Sequence, residues 1–168
     1  MKWMTLALLG AAIACNSTTS NPPHATASAV GSPRADFAKY QTFMFGPANP
    51  PATGYVTTAR SLEVQSRLTP LVEASLQARG YQPSEGNADL VIKISSGTGT
   101  LPGDKVQRGN PSADLPAGFI GIDAYDRATG ASVWHGSASA QIDPQHVDER
   151  LLGLGVEHML ASFPDRRD

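Results

Sequence analysis

Cysteine occurs once in the 168 residues, at position 15. A lone cysteine excludes an internal disulfide framework and a cysteine-built zinc cage. Charge is also scarce, at 17% of residues with a formal net charge of −2. That balance leaves no basic footprint for nucleic acid and no pull toward an anionic lipid surface. Losing the first 14 residues would remove Lys2 and no acid, so −2 would become −3. No apolar run approaches the roughly 20 residues that a membrane-spanning helix needs. The sequence has no H-E-x-x-H and no G-x-S-x-G, the spacings that mark a zinc hydrolase and a nucleophile elbow. "GTGT" at 97–100 is too short for a phosphate loop and lacks its lysine. No cofactor and no metal site is read from these residues. His146 and His158 lie twelve apart, over three helical turns, too far to share a metal.

What is present begins with Lys2 and the apolar run "MTLALLGAAIA", which ends at Cys15. The run fits the h-region of an export signal. Two cleavage readings are open. Ala12 and Ala14 form an A-x-A site, and Ala12-Ile13-Ala14-Cys15 resembles the lipobox of bacterial lipoproteins, with alanine where leucine is usual. A free thiol is out of place in an oxidising compartment. Lipidation of Cys15 would consume it, so residues 1–14 are expected to be a lipoprotein signal peptide. Two lipid signals already anchor a protein stably. Asn16 is not the aspartate that holds enteric lipoproteins at the inner membrane, which points to the outer membrane, facing the periplasm.

Residues 15–34, "CNSTTSNPPHATASAVGSPR", are rich in Ser, Thr, Ala and Pro and read as a flexible tether. A single domain is expected over 35–164, with 165–168 a polar tail. "DFAKYQTFMF" suits a first strand. Val64, Leu68, Leu71, Val72 and Leu76 recur at helical spacing after a possible N-cap at Ser61, and Gly80 sits where a C′ glycine belongs. Pro70 either kinks one long helix or starts a shorter one behind Thr69; one kinked helix is favoured. "ADLVIKISS" fits an interior strand. Gly97 to Gly118 has no period and reads as a long loop, functional or disordered. "FIGIDAYD" and "ASVWHGSASAQI" read as a hairpin closed by "DRATG". A last helix is expected from an N-cap at Asp143 to Pro164, with Gly153 and Gly155 marking a bend. The order strand-helix-strand-strand-strand-helix gives an α+β two-layer sandwich: about four strands in a mixed sheet, with two helices on one face.

Alternation along the hairpin puts Ile120, Ile122, Ala124, Trp134, Gly136, Ala138 and Ala140 on one face. The other face carries Asp123, Tyr125, His135, Ser137, Ser139 and Gln141. This second face is expected to be open, flat and polar, and it is the candidate binding face. Trp134 is either a core anchor or a ligand platform at a cleft edge. His135 with Asp123 and a serine could make a hydrolase if a cleft brought them together.

Four stretches together resemble one family: "DFAKYQTFMF", "RGYQPSEGNADLVI", "GFIGIDAYDRATGASVWHGSASA" and "ASFP". They are similar to the bacterial lipoprotein family called domain of unknown function 4136, over about residues 35–164. The hairpin is the most specific part, and His135 stands where the family usually has a basic residue. The resemblance implies export, lipidation and this fold, and it implies no catalytic residue. The expected function is a membrane-anchored envelope lipoprotein that binds without catalysis, its partner an envelope protein, a glycan or a lipid. The alternative is a hydrolase acting on envelope material.

Overall fold

The computed structural model describes residues 25–101, 115–143 and 145–166. Cys15, the expected signal peptide, the start of the expected tether and residues 102–114 of the expected loop lie outside the described residues. Among the described residues no helix is long and apolar enough to cross a membrane.

The described elements are β1 (Ala25–Gly31), a 3-10 turn (Phe37–Lys39), β2 (Thr42–Phe45), α1 (Ala59–Ala78), β3 (Gln82–Pro83), β4 (Leu90–Leu101), β5 (Leu115–Asp126), β6 (Ser132–Gln141) and α2 (Glu149–Leu160). One six-stranded mixed sheet runs in the order β1-β6-β5-β4-β2-β3. β2 is parallel to β3 and β4, and the other pairs are antiparallel. The mixed α+β architecture with two helices agrees with the sequence, but the sheet has six strands, not about four. β3 is only two residues long. β1 falls within the segment read as tether. Its alanines carry too little apolar surface to look like a strand, yet it repeats the pattern of its partner. "ATASA" lies against "SASA", with Ala27 opposite Ala138 and Ala25 opposite Ala140. Hydroxyls bond across the pair, Thr26 to Ser139 at 3.0 Å and Ser28 to Ser137 at 3.3 Å. Such pairs stabilise an antiparallel ladder by a few tenths of a kcal/mol to about 1 kcal/mol each.

α1 is continuous through Pro70. The lost N–H bond is tolerated because Leu68, Val72 and Leu76 bury the face beside it. Its N-cap is Thr58 rather than Ser61. The two form a capping box, each side chain bonding the other's backbone N–H. Gly80 at C′ and Gly130 in the hairpin turn both take positive φ, at 89° and 71°, as expected where an L side chain would be strained. α2 is capped by Asp148, which accepts from Leu151 N. Asp143 is not the cap, because its carboxylate is spent on Gln145 N and His146 Nδ1. Gly155 marks a close approach within a continuous helix: a Cβ there would lie 3.0 Å from Ile120 Cδ1.

The described ends of the expected 97–118 loop, residues 97–101 and 115–118, are strand. β4 and β5 stay in register from Gly97 opposite Phe119 out to Leu101 opposite Leu115. The described end of the chain is also held down. Arg166 N donates to Arg79 O, and its guanidinium lies 5.9 Å from the Tyr81 ring centre. The core lies between the helices and one sheet face. Trp134 is in it at 1% exposure, beside Phe43, Leu90, Ile122, Met159 and Phe163.

Candidate functional site

The second sheet face carries the six polar residues expected there, but over β4 and β5 it is not open. The segment from Gly46 to Val56 lies across it. Gly46 N bonds Ile92 O, and Val56 pairs with Thr98. Two missing side chains make room for this strap. A Cβ at Gly97 would fall 2.8 Å from Pro51 Cβ, and one at Gly99 would fall 2.6 Å from the Gly54 carbonyl oxygen. Tyr55 then packs on Phe119 with ring centres 5.1 Å apart.

Asp123 and Tyr125 lie under this strap, and the exposed His135 joins them through Asp123. Asn49 Nδ2 donates to Asp123 Oδ2 at 2.8 Å and reaches Tyr125 Oη at 2.9 Å. His135 Nδ1 meets Asp123 Oδ1 at 2.6 Å, and Lys93 Nζ sits 4.8 Å from the Tyr125 ring centre. Ser137 and Ser139 do not join them, because their hydroxyls bond Ser28 and Thr26 of β1. Gln141 lies at the far end of β6. Among the described residues no serine hydroxyl bonds the His135 ring, and no three metal-ligating side chains come together. A nucleophile, base and acid are therefore not assembled here.

A hollow lies elsewhere. A cleft of about 480 Å³ is bounded by α1, α2, the approach to α2, and the ends of β1, β4, β5 and β6. Its walls include Val64, Ile120, Ala140, Ile142, Val147 and Leu151. Small residues create it: Ala25, Ala27, Gly118, Ala138 and Ala140 stand where larger side chains would fill the space between sheet and helices. The size falls in the range of about 300–1,000 Å³ usual for small-molecule sites. The alternation had shown this face as apolar with small residues. What it could not show is that α2 starts at Glu149 and leaves the far end of the sheet uncovered.

The rim is polar. Arg60, Asp143, His146, Asp148 and His158 stand around the cleft. Hydrogen bonding from Gln145 N–H and then His146 holds the Asp143 carboxyl below its ordinary range, and the charge of Arg60 adds to this. A chain of ion pairs runs behind Arg60. Glu63 takes both Arg60 and Arg67, and Arg67 continues to Glu149 at the start of α2.

A family model described as "domain of unknown function (DUF4136)" matches residues 29–165. The fold is similar to a PDZ domain protein from Parabacteroides distasonis, with a TM-score of 0.59 at 13% identity. That match covers 84% of this chain, which spans 36% of the other protein. It is also similar to a PelC dodecamer from Paraburkholderia phytofirmans in two crystal forms, with TM-scores of 0.51 and 0.50 at 14% and 13% identity. Those matches cover 82% of this chain and 95% and 96% of the PelC chains. At these identities the likeness is one of fold. No curated protein sequence matches the chain.

Proposed function

The chain belongs to the family described as domain of unknown function (DUF4136), and from that premise we propose that it is a non-catalytic binding module whose cleft takes an apolar ligand. The observation that carries this reading is the cleft itself, a hollow of about 480 Å³ with an apolar wall and a polar rim. A domain with no ligand to hold would be expected to pack this space, since interiors are close-packed and each unfilled methylene costs stability. The polar face is less favoured, because the strap covers Asp123 and Tyr125 and the ladder to β1 engages two of its serines. The hydrolase reading has only the His135–Asp123 pair behind it.

Filling the cleft tests the proposal. Ala140 is partly buried on β6, opposite Gly118 and Ala25. Ala140→Phe is expected to weaken binding of 1-N-phenylnaphthylamine, read by its fluorescence, by about tenfold or more, which is about 1.4 kcal/mol. The melting midpoint should hold or rise. A variant that melts as the wild type does and binds the probe equally well would contradict the reading.

The module is proposed to sit in the bacterial envelope, tethered at the outer membrane by lipid on Cys15. The support is the apolar run that ends at the chain's single cysteine. Cys15→Ala is expected to move the protein from the membrane fraction to the soluble fraction and to stop uptake of labelled palmitate. Continued labelling would overturn the assignment.

A further inference from the structure

The two edges of the sheet differ in kind. At one, β3 is two residues long and ends on Pro83, a short, proline-marked edge of the sort that resists further pairing. At the other, β1 runs for seven residues, Ala25–Gly31, with no proline and no charge. It keeps one unbroken register with β6, and Ser32 N bonds Val133 O in that same register. Hydrogen-bonded pairs alternate along an antiparallel ladder. Thr26, Ser28 and Val30 therefore turn their main-chain groups to β6, and Ala25, Ala27, Ala29 and Gly31 turn theirs outward. Among the described residues no strand pairs with this edge.

A helix face stands over the same edge. α2 rests on both β1 and β6. Its core side carries Val156, Met159 and Leu160, and its Glu149 binds Arg67 of α1. Leu151 and His158 lie about half a turn round the helix from Glu149. With Leu154 they form a side that faces away from α1. All three line the cleft together with Ala25, Thr26 and Ala27 of β1, and Leu154 is 39% exposed. The cleft thus runs out to the sheet edge, where the described residues give it no wall.

We propose that a second copy of this chain supplies that wall, through an antiparallel β1–β1 pair about a two-fold axis at Ser28. Ala27 then meets Ala29 of the second copy and Ala25 meets its Gly31, so the outward main-chain groups of β1 are all used. The axis stands perpendicular to the sheet, so the two α2 helices run antiparallel on one face. Each lies over its own β1 and β6, which sets them two strand spacings apart, roughly 10 Å. Packed helices lie about 8–10 Å apart. The same axis passes the middle of α2: a Cβ at Gly155 would lie 3.8 Å from Ala138 Cβ, and Ala138 is opposite Ala27. Leu154 therefore meets Leu154 of the second copy. The exposed Arg150 and Glu157, one heptad apart, meet with opposite sign across such an antiparallel pair. The inner end of the cleft, at Val64, Ile120 and Ile142, is left to the ligand, and the pairing does not depend on it.

The test uses the full-length Cys15→Ala chain, which has no cysteine and no lipid on it. Analytical ultracentrifugation is expected to find two chains per particle at micromolar concentration. Leu154→Glu places like charges at the axis, and Ala27→Pro removes an N–H that β6 does not use. Each is expected to give single chains with an unchanged circular dichroism spectrum. Arg150→Glu is expected to weaken association about tenfold, and adding Glu157→Arg to restore it. Where a variant fails to fold, this charge reversal and its restoration decide. Ser28→Cys would bring two Cα atoms to about 4.5 Å across the axis, a spacing that a disulfide spans, so mild oxidation is expected to link the pair. A chain that stays single at every soluble concentration would overturn the proposal. So would a dimer that survives Leu154→Glu and Arg150→Glu, or one that Ser28→Cys fails to link, because it would use another surface. Binding of 1-N-phenylnaphthylamine is read on the same samples. A single chain that binds the probe sinks the pairing and leaves the ligand reading standing. A dimer that does not bind it sinks the ligand reading alone.

Discussion

Trp134→Ala is expected to lower stability by about 3–5 kcal/mol, the usual range for truncating a buried aromatic side chain. In a domain of this size that corresponds to a fall in melting midpoint of roughly 6–20 °C. The indole is 1% exposed and packs edge-on against Phe163 at 5.1 Å between ring centres. It also lies flat over Gly136, where any Cβ would collide with the ring. The Trp134 Nε1–H is buried and, among the described residues, has no acceptor, so packing and not a hydrogen bond to them holds the ring. Trp134→Phe should accordingly cost much less than Trp134→Ala, because it also removes an unpaired donor worth about 1–3 kcal/mol. The glycine supplies a sharper check. Gly136→Val should be severely destabilising alone but should cost far less in the Trp134→Ala background, where the ring no longer occupies the space. Thermal or urea unfolding of the four proteins gives the coupling. A wild-type midpoint for Trp134→Ala would return Trp134 to the ligand-platform reading.

The parts of the fold that were legible in the sequence are those whose apolar residues are large. Ile92 and Ile94 on β4, Ile120 and Ile122 on β5, and Leu68, Val72 and Leu76 on α1 each announced an element and its inner face. β1 was illegible because strands are recognised by bulky β-branched and aromatic residues. A strand of Ala, Ser and Thr has the composition of a linker, and its stability comes from the partner it meets 109 to 113 residues along the chain. Gly97 and Gly99 hid the end of β4 in a similar way. They read as loop residues, yet they are strand residues whose bare backbone lets the strap settle on the sheet. The candidate face was legible as a set of residues that share one side, and wrong as an open surface over β4 and β5. Alternation assigns residues to a face and says nothing of a loop that crosses it. The cleft follows from absences: small side chains on β1 and β6, and a helix that begins five residues later than its first capping signal.

Asp126→Ala is expected to cost about 3 kcal/mol at neutral pH, because it removes a buried carboxylate and strands its partners. The Asp126 side chain stands at the end of β5 with the residue 5% exposed. It accepts from Tyr40 Oη at 2.8 Å, from Lys39 Nζ at 3.0 Å and from Thr129 N at 3.0 Å. One residue thus closes the hairpin turn and fixes the 3-10 turn that leads into β2. Lys39 first, then Tyr40 and the Thr129 amide, hold its carboxyl far below the ordinary 3.8. Near pH 4 the unfolded chain therefore binds more protons than the folded one, so stability rises with pH there. The contribution is whole above the ordinary carboxyl range and is lost as pH falls through it toward the much lower folded value. Asp126→Asn imitates the protonated side chain. The gap in unfolding free energy between wild type and Asp126→Asn should be widest above about pH 5 and should narrow steadily toward about pH 2. Asp89 is held low by Gln41 N–H and Thr42, so the variant should still lose some stability in acid, with a shallower slope than the wild type. Urea titrations across that range read the gap directly. A gap of constant width would show that the Asp126 charge adds nothing beyond its hydrogen bonds.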